Sequence, residues 1–170
     1  MTPQERRDRV RLMGARRQWW DSRPEPVFEP GWEIIDAHVH LWEARDVPDP
    51  SGAANPLATS RYLLPEFLAD AGSGHDLTHC VYVECGSGYL AEGPEFMRPV
   101  GEAQFAAANA AELARRGSRT AIGAMVAHAD LRHRQLDALL DAYAAQGDGL
   151  VRGVRQSGAR LEDPAARLLV

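Results

Sequence analysis

From residue 32 onwards, short apolar runs alternate along the chain with longer segments of helical spacing. Runs rich in β-branched residues predict strands at residues 33–40, 78–85, 120–128 and 150–156. Helices are predicted between them, at residues 64–70, 102–116 and 133–145. Strands that alternate with helices are typical of βαβ units, so we expect an α/β fold with a parallel sheet.

The first 31 residues have a different pattern. Thr2, Pro3 and Glu5 have the spacing of a helix start with a capping box, and we expect a helix from there to about Trp20. Seven arginines face three acidic residues in the first 23 positions. A basic arm for RNA or a membrane is one interpretation. We favour the other, an apolar side packed on the main domain, joined to residues 32–170 by a proline-rich linker that ends at Gly31.

Composition limits the classes of partner. The 170 residues are 45% hydrophobic, enough for one domain with a core, and the net charge is −5. This acidic balance argues against nucleic acid or an anionic membrane as the main partner. Cys80 and Cys85 are five positions apart in a predicted strand, so we expect them on opposite faces and unpaired. With no apolar run of the ~20 residues that a membrane span needs, we expect a cytoplasmic protein.

The first predicted strand ends in a pattern with chemical potential. Alternate positions of a strand share a face, so His38 and His40 are predicted to present two imidazoles together. Two neutral imidazoles suit zinc and similar divalent ions, and the ends of parallel strands are where active sites form in such folds. The tripeptide alone is a weak signal, because two ordinary strand histidines have the same spacing.

The wider context of these histidines carries a family resemblance. Residues 34–42, Ile-Ile-Asp-Ala-His-Val-His-Leu-Trp, resemble the opening strand of the amidohydrolase superfamily, closest to the TIM-barrel metal-dependent hydrolases that include sugar-acid and pyrone-dicarboxylate lactonases. Residues 74–84, 93–102 and 151–155 fit the same branch. The resemblance implies the N-terminal half of a (β/α)8 TIM barrel, about four βα units, with His38 and His40 as ligands of a divalent metal, expected to be zinc. Certain lactonases nearby work without metal.

The same resemblance implies residues outside this sequence. Its members complete the site with a histidine from the middle of the barrel and an aspartate, the general base, from the eighth strand. A barrel of this type takes about 250 residues. We therefore expect the chain to be an incomplete and inactive fragment, and a homo-oligomer is one form in which half a barrel would persist.

Three further residues are candidates for substrate binding. Arg155, at the end of the fourth predicted strand, offers a planar fork for a carboxylate or lactone oxygen, and we favour this role over a structural ion pair. Glu84 either contacts substrate or a metal-binding histidine, or forms a salt bridge at the rim. His128 either faces the site from the third strand or bonds to Asp130 at the rim.

The function expected from the resemblance and from Arg155 is hydrolysis of a lactone, or of another cyclic ester or amide of a small organic acid. The small-molecule substrate would be covered by the loop at residues 43–62. Two alternatives stay open: a metal-dependent decarboxylase of the same superfamily, and a non-enzymatic fragment or interaction module. Nucleophilic serine, phosphate-loop and dinucleotide motifs are absent from the sequence.

Overall fold

A computed structural model of the chain describes residues 26–43 and 61–156. Strands and helices alternate in these residues: β1 (Glu33–Val39), α1 (Leu64–Ala71), β2 (Asp76–Val83), α2 (Val100–Arg115), β3 (Ala121–His128), α3 (Leu136–Gln146) and β4 (Val151–Arg155). A single 3-10 turn, Glu95–Met97, precedes α2. The predicted N-terminal helix and the first residues of the linker lie outside the described residues, and residues 26–31 of the linker contain no helix or strand.

The four strands form one sheet in the order β1-β2-β3-β4, and each neighbouring pair is parallel. The predicted mixed α/β fold with sequential parallel strands is confirmed. The largest shift in a boundary is at the start of α3, which begins at Leu136 and not at His133. His133 instead lies in a turn, where its backbone N–H donates to Asp130 and its ring accepts from the backbone N–H of Gln135.

Local chemistry explains where the helices begin and end. Before α1, the backbone N–H of Leu63 donates to the carboxylate of Glu66 at 3.0 Å, which satisfies one of the donors that a helix start leaves unpaired. The alanine-rich α2 ends before Gly117, whose φ of 62° is the left-handed conformation that terminates helices. None of the helices in the described ranges is both long enough and apolar enough to cross a bilayer.

The core lies between the sheet and the helices. The sheet contributes side chains that are at most 5% exposed: Cys80, Tyr82, Ile122, Met125 and Ala127. The helices cover them with residues such as Phe67, Leu113 and Leu139. The opposite face of the sheet is less covered by the described residues, and Ile35 of β1 is 63% exposed there.

Strand β1 contains a bulge just before its end. Asp36 pairs with Cys80 and Val39 with Tyr82, so three steps along β1 match two steps along β2. An extra residue of this kind re-aims the side chains that follow it. As a result Val39 faces the same buried side as Tyr82, while His38 and His40 leave the strand towards the other side.

Candidate metal and substrate site

The two histidines of the first motif meet at the carboxyl end of β1. The Nε2 atoms of His38 and His40 are 3.0 Å apart, and the rings are perpendicular with centroids 4.7 Å apart. His38 is exposed and His40 is partly buried. The predicted convergence of the two imidazoles is therefore present in the structure.

The second ring nitrogen of His40 is held by the neighbouring strand. Nδ1 lies 2.7 Å from the carbonyl oxygen of Val83, and since a carbonyl only accepts, Nδ1 carries the proton and donates. In neutral His40 the lone pair is then on Nε2, the atom that faces His38. A backbone carbonyl that fixes the tautomer in this way is a usual partner of histidines that bind metal.

Asp36 holds the bulge from which His38 projects. Its Oδ1 accepts a hydrogen bond of 2.9 Å from the backbone N–H of His38, a donor that the interrupted ladder leaves without a strand partner. Asp36 was not among the predicted site residues. Its position two residues before His38 could have indicated this hydrogen bond, because an aspartate side chain commonly accepts from the backbone N–H two positions later.

A cleft of about 290 Å³ lies beside the histidines. Trp42 and Tyr62 stack on its wall with ring centroids 5.1 Å apart, and their backbones exchange two hydrogen bonds of 2.7 and 2.8 Å. The Tyr62 hydroxyl donates to Asp70 at 2.7 Å, and burial together with this carboxylate raises the pKa of Tyr62. The two ends of the predicted covering loop therefore meet next to His40, while residues 44–60 lie outside the described part of the chain.

Arg155 and Glu84 form an ion pair near the ends of β4 and β2. Arg155 Nε donates to the Glu84 carboxylate at 2.8 Å, and Nη2 donates to the Glu84 backbone carbonyl at 2.9 Å. Glu84 is 14% exposed and the arginine side chain 41%. The ion pair that the sequence left as the alternative role of both residues is thus formed, and a substrate contact by the rest of the guanidinium stays a prediction.

His128 is the direct neighbour of Arg155 across the β3–β4 ladder. Its backbone carbonyl accepts a hydrogen bond of 2.6 Å from the Tyr143 hydroxyl of α3, which fixes the end of β3. Asp130 is engaged by the backbone N–H and the Nε of Arg132, and these contacts lower its pKa. The described contacts of the Asp130 carboxylate are with Arg132 and Gln156, and a substrate role for His128 stays a prediction.

The two cysteines are not in a disulfide, as expected. The expectation of opposite faces was wrong, because β2 ends at Val83 and strand alternation does not extend to Cys85. The Cys85 thiol lies 3.7 Å from the hydroxyl of Tyr82, on the buried side that also holds Cys80. Burial raises the pKa of Cys80 to about 12 and also raises that of Cys85, so neither environment favours a reactive thiolate.

The donor set at His38 and His40 fits half of a metal site. An ion bound at Zn–N distances of about 2.0–2.1 Å holds two tetrahedral ligands about 3.3 Å apart, a few tenths of an ångström from the observed 3.0 Å. Catalytic zinc sites commonly have three protein ligands. Within residues 26–43 and 61–156, no three His, Cys, Asp or Glu side chains lie close enough together to form a complete group.

Comparisons with known proteins add no identification. No family model, no curated protein and no solved structure matches this chain. A function can therefore be proposed only from the geometry of the site and from the resemblance of the sequence motifs.

Proposed function

We propose that this chain belongs to a metal-dependent hydrolase of the amidohydrolase superfamily that opens a lactone, or another cyclic ester or amide of a small organic acid. In this proposal the four described strands are half of a (β/α)8 barrel. His38 and His40 would hold a divalent ion, with zinc preferred. Such an ion, when bound, supplies Lewis-acid activation of water and of the carbonyl under attack.

The observation that carries the proposal is the arrangement of the two rings. The Nε2 atoms of His38 and His40 converge to 3.0 Å, and the carbonyl of Val83 holds the proton of His40 on the far nitrogen. The 3.0 Å contact is a hydrogen bond in which Nε2 of His38 donates to Nε2 of His40, and a bound ion would take the place of that proton. The protein thus presents a lone pair from a ring that the strand end already orients, which lowers the entropy lost on binding an ion.

The substrate side of the proposal rests on Arg155. An arginine has five N–H donors, and Glu84 engages two of them. Because the side chain is 41% exposed, the remainder of the guanidinium is accessible to a carboxylate from solvent. Glu84 would hold the plane of the guanidinium while the free edge binds and orients the acid group of the substrate.

The first experiment is a titration of the purified 170-residue chain with Zn²⁺ or Co²⁺, followed by calorimetry and by Co²⁺ absorption. We expect one ion per chain and, in His38→Ala and His40→Ala, a loss of affinity of at least roughly tenfold. The matched control is His79→Ala, since His79 is an exposed histidine of the same sheet, on β2. Equal affinities in all four proteins would overturn the metal assignment.

The second experiment addresses the substrate class. The metal-loaded protein is given a lactone that carries a carboxylate and a neutral lactone of the same ring size. We expect the Nε–H signal of Arg155 in NMR spectra to shift only with the acid, and hydrolysis to favour the acid in the complete protein. A shift of equal size with both lactones would contradict a role of Arg155 in recognising the acid group.

A further inference from the structure

Glu102 is a carboxylate without solvent exposure in the first turn of α2. Four donors meet its two oxygens. Oε1 accepts from the Tyr82 hydroxyl at 3.0 Å and from the backbone N–H groups of Cys85 at 2.8 Å and Ser87 at 3.0 Å, and Oε2 accepts from the backbone N–H of Gly86 at 3.1 Å. A buried carboxylate whose two oxygens both accept hydrogen bonds holds in place the segments that carry the donors.

Three of the donors are consecutive backbone N–H groups. Residues 85–87 form a concave nest of the kind that binds anions in many proteins, helped by the left-handed φ of 74° at Gly86. Here the anion is a side chain of the same protein. The nest follows β2 directly, so Glu102 pins the end of that strand to α2.

The end of β2 also forms hydrogen bonds with two residues of the candidate site, His40 and Arg155. The carbonyl of Val83 accepts the Nδ1 proton of His40, and the carboxylate and carbonyl of Glu84 accept from Arg155. These two residues immediately precede the nest. A shift of residues 85–87 away from α2 would pull on the acceptors that orient His40 and Arg155, against the hold of β3, whose Val126 carbonyl accepts from the backbone N–H of Glu84 at 2.9 Å.

We propose that Glu102 is a positioning residue: by filling the nest at residues 85–87 it fixes the end of β2, and through Val83 and Glu84 it sets the tautomer of His40 and the orientation of Arg155. The metal-binding part of this inference rests on the proposed function. The part that concerns the tautomer of His40 does not, because it follows from the structure without an ion.

Both oxygens of Glu102 must accept hydrogen bonds, so its acceptors matter as well as its size. Glutamine has nearly the same shape, but one of its two acceptor oxygens is replaced by a donor NH₂ group. In Glu102→Gln either Gly86 loses its acceptor or the donors of Tyr82, Cys85 and Ser87 lose theirs, and a donor then faces a donor. A buried donor without an acceptor is energetically costly, so we expect the loop at residues 85–87 to move in this variant.

The test compares Glu102→Gln with Glu112→Gln, the same substitution on the same helix at a surface ion pair with Arg115 and Arg116. Long-range ¹H–¹⁵N NMR spectra in mildly alkaline buffer, where imidazole is neutral, report which nitrogen of His40 carries the proton. We expect the Nδ1–H form in the unaltered chain and in Glu112→Gln, and a mixture of both forms in Glu102→Gln. Zinc affinity should fall roughly tenfold in Glu102→Gln alone.

Folded Glu102→Gln protein with an unchanged His40 tautomer would overturn the inference. If that variant does not fold, Glu102→Asp keeps a carboxylate but is one methylene too short to reach all three N–H groups of the nest, and we expect a shift towards the mixed tautomer. An unchanged tautomer in Glu102→Asp would then overturn the inference. If the unaltered chain binds no zinc, the proposed function fails, while the tautomer still decides the role of Glu102.

Discussion

Arg155 on β4 donates to both the carboxylate and the backbone carbonyl of Glu84 at the end of β2, although β3 lies between the two strands. Neighbouring strands are about 4.8 Å apart, so the pair bridges about 10 Å of sheet. A long side chain with a planar fork can make this reach and still keep a defined orientation. The pair thus ties the last described strand to the strand that also orients His40.

Under the proposed function, we predict that Arg155→Lys weakens substrate binding and leaves metal binding unchanged. Lysine preserves the charge but not the two-point contact with Glu84, so the cation no longer has a fixed plane. Turnover of a carboxylate-bearing lactone by the metal-loaded, complete protein should fall at least roughly tenfold, since the bidentate grip on the acid is lost. Zinc affinity measured by calorimetry should be unchanged.

Arg152→Lys is the matched control for this substitution. Arg152 is an exposed arginine of the same strand, and its guanidinium donates to the backbone carbonyl of Gly149. We expect full turnover in Arg152→Lys. A parallel loss of zinc in Arg155→Lys would show that Arg155 supports the metal site and not the substrate.

We predict that Asp36 contributes to the proposed metal site by holding the bulge from which His38 projects. Asp36→Ala removes the acceptor of the His38 backbone N–H, whereas Asp36→Asn retains an oxygen at the same place. Zinc affinity should therefore fall roughly tenfold in the alanine variant and much less in the asparagine variant. Titration of both with Co²⁺ checks this, and equal affinities in the two variants would mean that the hydrogen bond to His38 does not position the ring.

Local patterns were sufficient for much of this fold. Strand and helix periodicities place the four strands and three α-helices of the described residues, because these elements pack against the same core. The spacing of His38 and His40 was also sufficient for their convergence, since positions i and i+2 of a strand share a face. Both inferences depend only on residues close in sequence.

The features that the sequence did not predict depend on contacts between residues that are far apart along the chain. The orientation of Arg155 is set by Glu84, 71 positions away. Glu102 was placed at the start of a predicted helix, where an acidic residue is common, and its burial requires the loop after β2 to fold over it. The bulge at Asp36 arises from the register between β1 and β2. Such pairings are fixed by tertiary packing, which no local pattern encodes.

Gly101 should be intolerant of any side chain, because it lets the loop after β2 approach α2. A Cβ atom there would contact the backbone carbonyl of Gly88 and lie 2.7 Å from the backbone nitrogen of Leu90. We predict that Gly101→Ala lowers the free energy of unfolding by about 1–3 kcal/mol, the usual cost of overpacking. Urea denaturation measures this. Gly153→Ala is the control, since no described atom lies within 4 Å of its Cβ position, and a similar loss there would refute the steric explanation.

The last prediction concerns stability in alkaline solution. Burial raises the pKa of Cys80 to about 12, and burial also raises the pKa of Tyr82 and of Tyr143. In each case the folded state favours the neutral, protonated group. The stabilising contribution is therefore complete below the pKa of the unfolded chain, about 8.5 for a thiol and about 10 for a phenol. It is lost as the pH rises from there towards the folded values.

The free energy of unfolding should consequently fall as the pH rises above about 8.5, because the unfolded chain releases protons that the folded chain retains. Urea midpoints measured across the alkaline range check this directly. Cys80→Ala separates the Cys80 thiol from the other groups whose pKa is raised. It lowers stability at neutral pH by leaving a small cavity, but its stability should decline less steeply between the unfolded thiol pKa and about 12, since Cys80 no longer titrates. Cys80 should also react with iodoacetamide far more slowly in the folded chain than in urea, because the reagent attacks only the thiolate. Parallel pH profiles for the unaltered chain and Cys80→Ala, together with rapid alkylation of the folded protein, would show that the Cys80 thiol ionises as readily in the fold as in the open chain.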